Sequence, residues 1–227
     1  MRAGTARHAF GRSLQLLFHN PAIVVPGLVV GAMAALLSAV LEPAQPLDSN
    51  VFSRLLQGLV QLVASILSIA YTTGMAHAAW RDGRARFSDG ARAFRHDAGH
   101  VFVAMLVLLA IGFVAAVAAP YTLGLSLLVY LFFCIYTMAA AVVGERAGFF
   151  AVRESVEIAF ARPVTTLLLV AGIVAIAFAM GLFAEFLERT PLVGPLVSET
   201  VVQAVIAYAT LVVVGEYRAM SAAKVQV

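Results

Sequence analysis

Val101-Phe-Val-Ala-Met-Leu-Val-Leu-Leu-Ala-Ile-Gly-Phe-Val-Ala-Ala-Val-Ala118 is a run of 18 residues without one charge. As a helix, such a run is long enough to be read as a membrane span, because about 20 apolar residues cover the hydrocarbon core of a bilayer. It is apolar around its whole circumference. That excludes the alternating pattern of a barrel strand. Further apolar runs stand at 22–41, 55–77, 122–143, 164–187 and 196–215. Six spans in 227 residues leave no room for a large extramembrane catalytic domain. Composition agrees: 62% of residues are hydrophobic and only 12% charged, with a mean hydropathy of +0.96, whereas about 25% are charged in a soluble domain. The expected fold class is all-α: a polytopic membrane protein of six transmembrane helices in one membrane domain, 1–227.

The connections set its orientation. Glu42-Pro-Ala-Gln-Pro-Leu-Asp-Ser-Asn50 reads as a polar loop, residues 81–96 are the most basic stretch, Pro120 to Gly124 mark a tight turn, and Thr190-Pro-Leu-Val-Gly-Pro195 splits the last pair. With the N-terminus, 81–100, 144–162 and the C-terminus on one side, 13 of the 15 cations fall there. Only Arg54 and Arg189 lie opposite. Cytoplasmic loops carry such an excess, so both termini are expected in the cytoplasm. The first apolar run begins only at residue 22, after a segment with its own helical pattern, so a retained span is expected rather than a cleaved signal peptide. Fourteen of the 15 cations are Arg, the exception being Lys224. With abundant Ala, Val and Gly, this is the bias of a GC-rich bacterial genome, and the expected location is a bacterial inner membrane. The net charge of +3 is then topogenic, and no nucleic-acid partner is expected. The single Cys134 sits in an apolar run and reads as a small hydrophobe.

A threefold pattern runs through the chain. Phe10, Leu14, Leu17 and Phe18 precede the first span at helical spacing; Phe87, Ala91, Phe94 and Ala98 precede the third; Phe149, Val152, Val156 and Phe160 precede the fifth. Each set forms the apolar face of a short amphipathic helix of the kind that lies in the membrane interface. Ser13 precedes Pro21 by eight residues and Ser155 precedes Pro163 by eight. The residue before a proline avoids the α region, so each in-plane helix should end there. Val142-Val-Gly-Glu-Arg146 and Val213-Val-Gly-Glu-Tyr-Arg218 close two hairpins, with Gly74 at the corresponding place in the other. The expected units, each an in-plane helix plus a hairpin, are about 5–80, 81–146 and 147–219. This layout resembles uncharacterised six-helix bacterial inner-membrane families and the membrane domain attached to some glycerophosphodiester phosphodiesterases. The resemblance implies the membrane architecture and not the phosphodiester activity.

Few residues point to chemistry. Glu145 and Glu216 recur at matching places, each near an arginine (Arg146, Arg218). They read as ion pairs or clamps to an amphipathic helix, through Arg12 or Arg153 for instance, with a transport role as the alternative. Arg84, Arg86, Arg92 and Arg95 are candidates for anionic lipid headgroups. His96 and His100 are spaced to share a zinc ion on one helix face, with His77 as the only nearby third histidine. Gly99 weakens that helix and no further ligand is evident, so no metal is expected. Glu185 and Glu188, beside Arg189, read as a solvated helix end. There is no phosphate-binding glycine loop, nucleophile elbow, cysteine cluster or haem site, so neither an enzyme nor a cofactor is expected. The leading functional expectation is a non-enzymatic structural or accessory component for lipids or a partner complex. A small transporter or channel subunit for a hydrophobic or amphiphilic solute comes second, and a metal- or pigment-binding subunit third. Expected partners are anionic membrane lipids, other membrane subunits or a second copy.

Overall fold

The computed structural model describes residues 4–41, 51–187 and 194–224. Glu188 and Arg189 lie outside the described residues, as does the Glu185 side chain. Among the described residues the chain is all helical, with no strand. The helices are α1 (Gly4–His19), α2 (Val25–Leu41), α3 (Val51–Asp82), α4 (Phe87–Ala118), α5 (Leu125–Cys134), α6 (Thr137–Val142), α7 (Gly148–Ala161), α8 (Pro163–Leu187) and α9 (Gly194–Lys224). Ala98–Ala118, Leu125–Val142 and Thr200–Ser221 are each long and apolar enough to cross a membrane. Two bent pairs pass the same test when each is counted as one span, giving up to 5.

Those two bends follow from proline. α1 turns by 94° into the 3-10 turn Pro21–Val24 and α2, and α7 turns by 107° into α8. At the first corner Asn20 has φ −134° and ψ 62°; at the second Arg162 has φ −139° and ψ 62°. Both residues are driven out of the α region by the following proline ring, which then starts the next helix without needing an N–H.

The middle of the chain differs from the sequence expectation. α4 runs unbroken from Phe87 to Ala118, so the amphipathic stretch at 87–98 is continuous with the apolar one rather than a separate helix. No proline stands at the junction, and nothing forces a corner. The apolar run at 122–143 is instead divided into α5 and α6 by a break at Ile135 and Tyr136. The two Val-Val-Gly-Glu segments also differ. α6 ends at Val142, leaving Glu145 exposed in a turn at φ 53°, whereas α9 continues through Gly215 and Glu216 to Lys224.

Packing centres on α3, α6 and α9. Met75, Ala79, Tyr136, Ala140, Leu211 and Val214 are buried together. Small residues let the backbones approach, the usual device where lipid rather than water surrounds helices. Against this centre, α1 packs on α9, α7 on α5 and α6, and the start of α4 on α3. The α3–α4 approach is close enough that a Cβ at Gly74 would stand 2.6 Å from the Ala93 Cβ. Outward-facing positions such as Phe113, Val114 and Phe178 are apolar and exposed, as suits a lipid boundary.

Candidate functional site

The arginine-rich end of the bundle carries a connected polar layer. Glu216, on α9, is only 3% exposed. Its carboxylate lies 4.0 Å from the Arg162 guanidinium at the α7–α8 corner. Beside this pair, the buried Tyr136 hydroxyl sits 3.4 Å from the Thr166 hydroxyl. Of the two sequence-predicted glutamates, only Glu216 is thus placed as a buried clamp, and its partner is Arg162 rather than Arg12 or Arg153. Glu145 has lost the equivalence, because its helix ends before it.

The other candidate cations are engaged elsewhere. Arg146 pairs with Glu154 at 3.2 Å and Arg153 with Glu157 at 3.0 Å. The second oxygen of Glu154 accepts a bond from the Tyr217 hydroxyl at 3.1 Å. Arg218 donates to the His77 carbonyl at 3.4 Å. Arg12 stacks 5.0 Å above the Trp80 ring, and the Trp80 indole N–H donates to the Leu211 carbonyl at 2.8 Å. The same indole lies over Gly215, where any Cβ would run into it.

Two buried polar side chains stitch the backbone where it is irregular. Ser155 Oγ accepts the Tyr136 N–H at 3.1 Å and donates to the Phe133 carbonyl at 2.6 Å, so it satisfies backbone groups left loose at the α5–α6 break. Asn20 donates to the Leu16 and Gly83 carbonyls at 2.9 and 3.3 Å and accepts the Ala85 N–H at 2.7 Å. It thereby fastens the first corner to the α3–α4 connection. Ser13 is as buried as Ser155, but among the described residues its hydroxyl has no hydrogen-bond partner. The helix it packs on, α9, has no break to stitch. The eight-residue Ser–Pro spacing was the sequence signal for Ser155; the proline after Asn20 signalled a corner but not the bonds Asn20 makes, and nothing local signalled Trp80.

Two concave features complete the site. A cavity of about 520 Å³ lies between α3, α5, α6, α8 and α9, walled by Ile69, Ile135, Met138, Ile173, Val205 and Ala209, with Thr73 and Thr210 among an otherwise apolar lining. Pockets for small molecules typically hold about 300–1,000 Å³ and are mostly apolar with few polar groups. A second, polar cleft of about 290 Å³ lies between α3, the start of α4 and the end of α6. His77, Arg81, Asp89, Arg92, His96 and Glu145 line it. This brings together Glu145, Arg92, His77 and His96, all singled out in the sequence. Arg84, Arg86 and Arg95 are exposed outside it, and His100 lies one turn further along α4. At the edge of the cleft Arg81 is bonded to Asp82 at 2.8 Å, and this bond holds the Asp82 carboxyl below the usual carboxylate range.

Among the described residues no three His, Cys, Asp or Glu side chains are grouped to hold a metal ion. The His96–His100 spacing therefore acquires no third ligand there. No protein-family model, curated protein or solved structure matches the chain.

Proposed function

We propose that this chain is a non-enzymatic protein of a bacterial inner membrane that holds an amphiphile within the bilayer, as a structural or accessory component for lipids. The observation that carries the proposal is the apolar cavity between α3, α5, α6, α8 and α9. The space is partly open between the helices and almost wholly apolar, a surface that takes up hydrocarbon rather than water. The two threonines in the lining donate their hydroxyls to the Ile69 and Ile206 carbonyls at 2.7 and 2.8 Å, which leaves only acceptor lone pairs for a polar link and too little polarity to bind a charged solute.

The proposed topology has six spans. Three helices and two bent pairs pass the span criteria, and α3 contributes the sixth through the apolar run 55–77. Three units of in-plane segment plus hairpin are supported by the matching corners at Asn20 and Arg162, and by the placing of α1, α7 and the start of α4 on the second helix of a hairpin. Both termini are cytoplasmic on the 13-to-2 division of cations. Cysteine labelling tests this, with Cys134 first replaced by Ala. An impermeant maleimide added to intact spheroplasts is expected to label Asp48→Cys and to spare Ser88→Cys, which is exposed on the arginine-rich side. Labelling of Ser88→Cys from outside rejects the topology.

The cavity is tested by filling it. Ala209→Phe projects a ring into the lining from α9. Native mass spectrometry of the protein extracted from its membrane is expected to show a bound amphiphile in the parent and a several-fold loss in the variant. The melting temperature should be kept, because the ring fills an apolar groove rather than displacing a packed side chain. Equal bound mass in both proteins rejects the cavity as the site.

A small transporter for the same class of solute is the second reading, favoured by the helix break at Ile135, which borders the cavity. Broken helices in membranes commonly line such spaces. The Ser155 stitch weighs toward a fixed scaffold, since it satisfies the loosened backbone without any movement.

A further inference from the structure

We propose that the polar cleft between α3 and α4 binds the phosphoryl group of a membrane phospholipid. His77 and Arg81 stand one turn apart on α3, and Arg92 and His96 one turn apart on α4; all four line the same space of about 290 Å³. Exposed arginines on a helix are ordinarily a solvated face. What differs here is concavity: two helices crossing at Gly74 and Gly90 set two such pairs around one gap. A guanidinium offers a planar fork of N–H donors that matches phosphate oxygens, and an imidazole adds a further donor.

The acids around the cleft leave this chemistry available. Asp89 accepts the Arg86 backbone N–H at 2.9 Å in the first turn of α4, where the helix end itself favours a negative charge. Glu145 also lines the cleft, three residues beyond the end of α6, but is exposed there. Asp82 does not line the space but holds the Nε and Nη2 of Arg81, so Arg81 contributes its charge and Arg92 the guanidinium fork. The cleft also lies where a headgroup would reach it. Arg84 and Arg86 flank it in the α3–α4 connection, and the exposed ring of Phe87 opens α4 beside it. An apolar ring next to cations is the composition that settles at the acyl–headgroup boundary. The proposal relies on the membrane placement above and not on what fills the apolar cavity.

The test compares the parent, the double variant Arg92→Gln with His96→Gln, and Arg95→Gln, which removes the same charge from α4 outside the cleft. Each is reconstituted in phosphatidylcholine vesicles containing phosphatidylglycerol, extracted in neutral detergent, and its retained phosphatidylglycerol counted by native mass spectrometry. One arginine beside an anionic headgroup corresponds to about fivefold in occupancy. The double variant is expected to lose at least that, and Arg95→Gln clearly less. In a second arm, inorganic phosphate is titrated into detergent-solubilised protein and followed by the fluorescence of Trp80, the single tryptophan and the neighbour of Arg81. Weak phosphate binding with strong, cleft-dependent lipid retention supports the lipid source. Equal lipid retention in all three proteins, with phosphate binding abolished in the double variant, overturns the lipid source in favour of free phosphate. Indifference of both readouts to the double variant overturns the site. The phosphate arm involves no acyl chain, so failure of the cavity proposal leaves it unaffected.

Discussion

Arg162→Met is expected to destabilise the protein by about 3–5 kcal/mol, the usual cost of leaving a buried charge without its partner. Glu216 sits in the packed centre at 3% exposure, and Arg162 is the cation that faces it, at 4.0 Å. With that cation removed, the carboxylate must either stay charged in an apolar setting or take up a proton, and both outcomes cost free energy. The double variant Arg162→Met with Glu216→Met removes both charges while keeping side-chain bulk, and should recover most of the loss. The pair is also where the α7–α8 corner is held against α9, so its loss should loosen α8. The measurement is the midpoint of SDS-induced unfolding for the parent, both single variants and the double variant. Additive losses in the double variant would show that the two residues act separately, and would remove the clamp from the description. For a transporter carrying protons on this acid, Glu216→Gln would instead leave stability untouched.

How far the letters reached can be judged from particular residues. The apolar runs were legible because hydropathy over a span-length window is independent of which helix packs on which. The corners at Asn20-Pro21 and Arg162-Pro163 were legible for a similar reason: the proline ring restricts its predecessor whatever the tertiary setting. Amphipathicity was less informative. The stretch at 87–98 carries the same kind of apolar face as α1 and α7, yet that face says only which side is buried. It does not say whether the helix bends afterwards. The repeated Val-Val-Gly-Glu was misleading in a related way, because a helix end depends on the residues downstream of it. After Glu145 come Arg146, Ala147 and Gly148, with Gly148 at φ 49° starting a new helix. After Glu216 comes Tyr-Arg-Ala-Met-Ser-Ala-Ala, mostly good helix formers, so α9 continues. In the site, the candidate residues around the α3–α4 cleft were visible as a histidine pair and a basic stretch. Their convergence was not, since it depends on the crossing of Gly74 and Gly90.

Trp80 shows the limit of local reading, and it carries the second large effect. Trp80→Ala should cost about 3–5 kcal/mol, the range for removing a large aromatic side chain from a packed site. Three parts of the chain meet on this one side chain: α9 lays Gly215 against it and supplies the Leu211 carbonyl to its N–H, while α1 places Arg12 over the ring. Those contributions can be separated. Trp80→Phe keeps a ring over Gly215 and removes the indole donor, and should cost far less, because the net value of one hydrogen bond is about 1 kcal/mol. Arg12→Gln removes only the cation above the ring, worth about 0.5–2 kcal/mol depending on how dry the site is. Gly215→Val leaves the tryptophan in place but drives a side chain into it, and overpacking of this kind costs about 1–3 kcal/mol. Trp80 is the only tryptophan, so unfolding must be followed by circular dichroism rather than by fluorescence. Equal losses for Trp80→Phe and Trp80→Ala would move the main stabilisation from ring packing to the Leu211 bond. A negligible loss for Trp80→Ala would mean that α1, α3 and α9 are held together by the aliphatic centre alone, with Met75, Leu211 and Val214 sufficient to fix their crossing.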